Sequence, residues 1–142
     1  MAKPKFSQGI YEVRNANKYV GKGKPRYRSS WELSFMHFCD NNEHILQWAS
    51  EAISIPYRNP LTGKATQYVP DFFVLYRTKN NKQVAELIEI KPKGQSMLTE
   101  KQNANQRAVV AVNHAKWEAA QHWCKRQGLI FRVITEDQIF HR

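Results

Sequence analysis

Two short motifs hold residues whose types and spacing suit chemistry: Pro70-Asp71 and, eighteen residues after that aspartate, Glu89-Ile90-Lys91. Carboxylates brought together repel, and each raises the other's pKa unless a cation sits between them. A lysine beside them suits a site that handles phosphate or activates water. Mg²⁺ takes oxygen ligands in octahedral geometry and keeps several waters, so two carboxylates plus a phosphate oxygen match its preference. Lys91 can then hold an attacking water or stabilise a pentavalent phosphorus centre. The chemistry implied is metal-assisted hydrolysis of a phosphate ester. A surface hairpin with solvated charges is the alternative. Against it, Asp71 lies among Val69, Pro70, Phe72 and Phe73, and Glu89 between Ile88 and Ile90; charges in such apolar runs need a partner.

The elements around these motifs can position them. Tyr68 to Tyr76 reads as a strand with Pro70 near its start, where a missing N–H is tolerated. Val84 to Lys91 reads as the next strand, ended by Pro92 and Gly94. The polar turn Thr78-Lys79-Asn80-Asn81-Lys82 between them predicts antiparallel pairing. Asp71 at the start of one strand then meets Glu89 at the end of the other. Side chains two apart on a strand share a face, so Leu87, Glu89 and Lys91 point one way. Val84, Glu86, Ile88 and Ile90 point the other way, and Glu86 is expected as an outer-face charge.

Upstream, Trp31, Phe35, Phe38 and Cys39 have the spacing of a buried helical face, predicting a helix from Ser29 or Ser30 to about Asn41. Ser29-Ser30-Trp31-Glu32 is a capping box, and from the residues alone that is the preferred role of Glu32. Ile53 to Tyr57 is the expected first strand, followed by turn residues 58–64. After Gly94 two helices are expected, Thr99 to Val112 and one from the N-cap Asn113 to the C′ residue Gly128. Leu129 to Ile134 is the fourth strand, and Thr135-Glu136-Asp137 starts a last helical turn. The predicted order is α-β-β-β-α-α-β.

Of the net charge of +10 on 142 residues, seven units lie in residues 1–28, which carry eight basic side chains against Glu12 alone. This arm, with Gly9, Gly21, Gly23, Pro4 and Pro25, reads as irregular structure attracted to polyanions. Tyr11, Tyr19 and Tyr27 can pin it to the domain or to a partner. Lys18, Lys22, Lys24, Arg26 and Arg28, with Lys93 near the motif, are the expected phosphate contacts. The arm lacks an amphipathic stripe and the chain lacks a long apolar run, so no membrane role is expected. The start has no apolar run behind its charges and does not read as a secretory signal. The five histidines lack zinc spacing. No phosphate loop or nucleophile elbow is present. Cys39 and Cys124 read as buried thiols.

The pair Pro70-Asp71 and Glu89-Ile90-Lys91 resembles the signature of the PD-(D/E)xK nucleases, which share a restriction-endonuclease-like α-β-β-β-α-β core. Further segments resemble the head-completion nucleases of T-even-type tailed phages: 27–32, 48–51, 55–57, 88–93, 116–121 and 134–137. A more distant likeness is to the N-terminal nuclease domain of the transposon endonuclease TnsA. The resemblance implies an α/β (α+β) fold of that class, with one extra helix: a basic arm over 1–28 and a nuclease domain over 29–142. It also implies that the first helix supplies an acid to the metal site, here Glu32. The implied site is Glu32, Asp71 and Glu89 around Mg²⁺ (Mn²⁺ substituting), with Lys91 catalytic. The implied activity is endonucleolytic cleavage of double-stranded DNA, trimming or nicking packaged phage DNA at the portal vertex. Portal or neck proteins would be partners, in the host cytoplasm or at the head–tail vertex of the virion. The competing expectation is a non-catalytic neck adaptor that binds DNA and portal proteins through the arm.

Overall fold

Ser29 lies in extended conformation and accepts the Glu32 amide on its hydroxyl, so α1 starts where the capping box predicts and runs Ser30–Asn41. The computed structural model describes residues 8–135. The expected helical turn at 135–137 falls largely outside them. After two short strands in the arm, β1 (Gly9–Ile10) and β2 (Arg26–Tyr27), and α1, the chain forms β3 (Ile45–Ser50), β4 (Ile55–Arg58), β5 (Ala65–Tyr68), β6 (Phe72–Arg77) and β7 (Gln83–Ile90). A 3₁₀ turn (Lys93–Gln95), α2 (Ala104–Gln127) and β8 (Ile130–Ile134) follow.

The central sheet has the order β3-β6-β7-β8. β6 pairs antiparallel with β3 and β7, while β7 and β8 run parallel, joined by the crossover through α2. The core is therefore α-β-β-β-α-β, a mixed α/β fold of the restriction-endonuclease-like kind. One apolar cluster joins Trp31, Phe35 and Met36 of α1 to Trp48, Phe72, Val74, Ile88 and Ile90. The other joins Ala120 and Cys124 of α2 to Ile55, Tyr68, Leu87 and Phe131. β7 is buried from Glu86 through Ile90 because its two faces serve the two clusters. Both cysteines are free and buried, as expected, and burial pushes the Cys124 thiol up to about 11.

Three elements differ from expectation. The first core strand is β3, in a stretch assigned to no element, whereas Ile55–Arg58 pairs only with β5 in a separate ribbon. The strand expected over Tyr68–Tyr76 breaks into β5 and β6 around Val69-Pro70-Asp71, since Pro70 has no N–H for the ladder. The two expected helices are one, α2, capped by a reciprocal Asn103–Gln106 box. Asn113 is no cap. It is buried mid-helix, where its side-chain amide donates to the Gln95 carbonyl at 2.9 Å and so does not compete with the helix.

Gly128 ends α2 in the left-handed conformation, φ 75°, as expected of a C′ glycine, and its amide donates to Cys124 and Lys125 carbonyls. A Cβ there would meet no atom within 4 Å. Gly128→Ala should therefore cost only the backbone term, about 1 kcal/mol. Urea titration should show a lower midpoint with an unchanged slope.

The arm is built into the domain from Tyr11 onward. Asp40, the buried penultimate residue of α1, accepts the Tyr11 hydroxyl at 2.6 Å and the amides of Arg14 and Asn15 at 2.8 and 3.0 Å. Burial works to raise its pKa, and these bonds outweigh that and hold it below the ordinary value. Tyr19 packs edge-on against Trp48, with ring centres 4.7 Å apart. The Val20 amide and the Lys18 carbonyl close hydrogen bonds with Trp48, so the arm covers the outer edge of β3.

Candidate active site

β6 and β7 bring the two motifs together as strand pairing predicts. Phe72 pairs with Ile88, so Asp71 and Glu89 are the next partners toward the open end of the hairpin. The Asp71 amide donates to Glu89 Oε1 at 3.3 Å, and the Ile90 amide donates to Asp71 Oδ2 at 2.8 Å. Lys91 Nζ lies 3.6 Å from Glu89 Oε2. Two side chains outside the motifs hold the pair. The Tyr68 hydroxyl, at the end of β5, donates to Glu89 Oε1 at 2.8 Å. Lys116 of α2 stands 5.7 Å from the centre of the Tyr68 ring, and its charge favours ionised Glu89.

The sheet adds a third carboxylate to the row. Ser50 pairs with Phe72, so Glu51, just past β3, falls beside Asp71 and donates its amide to the Asp71 carbonyl at 2.9 Å. Glu51 is left-handed, with φ 50°, a conformation that costs a residue bearing a Cβ about 1–2 kcal/mol. Its Oε2 pairs with Arg28 Nη1. Sequence reasoning missed Glu51 because it missed β3; the apolar run Ile45-Leu46-Gln47-Trp48-Ala49 was the available signal.

Glu32 makes one arm of the expected capping box: its amide donates to Ser29 Oγ at 3.1 Å, while its Oε1 accepts the amide of Arg28, the residue before the cap, at 3.0 Å. It also stands within the field of the cluster. Burial raises its pKa, with the Arg28 amide and guanidinium and Lys91 opposing and Glu51 reinforcing. Asp71 is pushed well above the ordinary aspartate value by burial, then by the charges of Glu89 and Glu32. Glu89 is raised by burial against the pull of Lys91, Tyr68 and the Asp71 amide. The structure thus brings Asp71, Glu89 and Lys91 into direct contact and sets Glu32 nearby, its carboxylate turned toward the helix cap. Among the described residues no three Asp, Glu, His or Cys side chains converge to hold one ion. Asp71 and Glu89 still fit Mg²⁺, which needs one or two carboxylates and otherwise water and substrate oxygen. They are adjoining oxygen donors whose mutual repulsion an ion would relieve.

The expected phosphate contacts fall in different places. Lys22, Lys24, Arg26, Arg28 and Lys93 are exposed. Lys24 lies 3.2 Å from Glu12 on the surface. Lys18 is tied into the fold, its ammonium donating to the Asp40 and Asn42 carbonyls at 3.0 and 2.8 Å and so closing the end of α1. Glu86 lies on the face opposite Glu89, as parity predicts, but it is buried rather than an outer-face charge. It accepts the Tyr76 hydroxyl at 2.6 Å and Arg132 Nε at 3.0 Å. A cavity of about 590 Å³ lies on the α1 side, lined by Phe35, Val74, Ile88 and Ile134 among others, and holds none of the clustered carboxylates.

A family model described as TnsA-like endonuclease N terminal matches residues 42–136, a span that contains Asp71, Glu89 and Lys91 and begins after α1. The head completion nuclease of Enterobacteria phage T4 is 34% identical over 140 residues, covering 91% of this chain and 91% of that protein. That alignment extends beyond the family model on the N-terminal side. With its α-β-β-β-α-β core and this carboxylate hairpin, the chain belongs to the TnsA-like N-terminal endonuclease family, as a relative of a phage head completion nuclease.

Proposed function

We propose that this phage nuclease is a Mg²⁺-dependent DNA endonuclease of the PD-(D/E)xK type, acting on double-stranded DNA during head completion. The observation that carries the reading is the adjoining pair Asp71 and Glu89 with Lys91 at 3.6 Å, on one end of a hairpin held from both sides of the sheet. Asp71 and Glu89 would hold the ion, with Glu32 as the further acid proposed for the site. Bound Mg²⁺ supplies Lewis acidity, a more acidic water and neutralisation of phosphate charge. Tyr68 fixes the rotamer of Glu89, leaving Oε2 toward Lys91. The Lys91 ammonium orients the attacking water and stabilises charge on the phosphorane. Lys22, Lys24, Arg26 and Lys93 bind the flanking backbone as screened, sequence-independent contacts. The similarity to a head completion nuclease supports a role in head completion; a setting at the portal vertex, with portal or neck proteins as partners, is part of the proposal.

The test is cleavage of supercoiled and linear duplex DNA with Mg²⁺, Mn²⁺ or EDTA, by wild type and Lys91→Ala. Wild type should cut only with metal, leaving 5′-phosphate ends, and Lys91→Ala should lose roughly 100-fold or more in rate while still folded, its melting temperature somewhat lower because Glu89 loses its counter-charge. Wild-type rates in folded Lys91→Ala would overturn the site. DNA binding without metal-dependent cleavage would leave the neck-adaptor role instead.

A further inference from the structure

We propose that Glu51 is a positioning residue: it holds the Arg28 guanidinium at the rim of the Glu32–Asp71–Glu89 cluster, where Arg28 takes a phosphate of the DNA strand being cut. The inference rests on the nuclease reading of the site and adds to it a built-in phosphate clamp.

Arg28 joins two parts of the site. Its amide donates to Glu32 and its side chain pairs with Glu51, so one residue ties the start of α1 to the end of β3. Its charge is felt by the cluster: pairing with Glu51 raises its own pKa most, and Glu32 and Asp71 add to that. The side chain is 54% exposed. Among the described residues only Nη1 is engaged, so other N–H donors of the fork remain for a bidentate phosphate contact.

Stability does not explain the arrangement. Glu51 sits in a backbone conformation suited to glycine or asparagine, and an exposed ion pair does not offset that strain. The position of Glu51 explains it better. Its backbone is anchored through its amide to the Asp71 carbonyl, so the side chain starts from a point set relative to the metal-site pair, and its carboxylate pairs with Arg28. An unheld arginine beside two ionised carboxylates would fold onto them and compete with a metal. Pairing with Glu51 keeps the guanidinium beside the cluster and off it. A phosphodiester approaching three acids meets repulsion, and a cation held at the rim offsets it where the charge is greatest.

The experiment compares wild type, Glu51→Gly, Glu51→Asn, Arg28→Ala and the double variant Arg28→Ala/Glu51→Gly. It measures melting temperature, duplex binding in EDTA, and kcat and KM with Mg²⁺. Glycine and asparagine both accept the left-handed backbone, so Glu51→Gly should melt no lower than wild type. Its kcat/KM should nevertheless fall about 10-fold, with raised KM and weaker binding in EDTA. Arg28→Ala should lose more, and the double variant no more than Arg28→Ala, since both changes remove one clamp. Wild-type KM and binding in folded Glu51→Gly and Glu51→Asn would overturn the proposal. So would additive losses in the double variant. A wild type that does not cleave would overturn the nuclease reading separately, and binding in EDTA would still decide whether Glu51 positions Arg28.

Discussion

Asp71→Asn should abolish cleavage and, in the same protein, raise the melting temperature measured in EDTA. The loss follows from removing one of the two adjoining carboxylates proposed to hold Mg²⁺, and should reach roughly 1,000-fold. The gain follows from electrostatics. Asp71 is held well above its ordinary pKa by burial and by Glu89 and Glu32. A carboxyl whose folded pKa is raised favours the folded state below its unfolded pKa, near 3.8, and that contribution is lost as pH rises through the folded value. At neutral pH the metal-free site is therefore a source of instability. Asparagine removes the charge and keeps an oxygen for the Ile90 amide. The gain should be of the order of 1 kcal/mol, a few degrees. It should shrink as pH is lowered toward 4, where wild-type Asp71 carries its proton. Calorimetric scans at pH 7 and pH 4.5 in EDTA measure both effects. A melting temperature that falls at pH 7 would show that Asp71 stabilises the fold instead.

Asp40→Ala should be the most damaging change outside the site. It leaves the Tyr11 hydroxyl and the amides of Arg14 and Asn15 without their acceptor. Buried donors left unpaired cost about 1–3 kcal/mol each. The covering layer is only the arm, which can peel away and rehydrate, so the expected total is about 2–4 kcal/mol. The same peeling gives a local signature: trypsin should cut wild type slowly at Arg14 and Lys18 and the variant quickly, before the domain unfolds. The pH dependence has the opposite sign to that of Asp71. Asp40 is depressed below 3.8, so its contribution is full above that value and fades as pH falls toward its folded pKa. An arm equally resistant to trypsin in the variant would show that Tyr19 and Trp48 hold it without Asp40.

The hairpin was the most legible part of this protein. The two-residue parity of a strand over 84–91 and a five-residue polar turn set facing and pairing together, so Asp71 and Glu89 meet where predicted. α1 was equally legible, because its cap, its box glutamate and its apolar stripe agree. β3 was hidden, since Ile45–Ser50 follows a helix closely and its apolar run does not separate strand from buried helix. With it went Glu51, whose place depends on pairing with a strand 21 residues later in the chain. Asn113 misled because its local preference is for a cap, and a carbonyl 18 residues away satisfies it inside a helix. Tyr68 and Lys116 were out of reach for the same reason: each acts on Glu89 across a tertiary contact. Lys18 counted as a free cation until the fold placed two carbonyls against it.

The anchored arm bears on the thermodynamics of DNA binding. A flexible basic tail must give up about 1–2 kcal/mol of backbone entropy for each residue it fixes on its partner. Here Asp40, Trp48 and the end of α1 already tie down Tyr11, Arg14, Asn15 and residues 18–20, and β2 pairs with β1, so the arm is largely placed before DNA arrives. Lys22, Lys24 and Arg26 can then meet phosphates with little left to order. Association should lack the large negative heat-capacity change of coupled folding and binding, and its free energy should come mainly from released counterions.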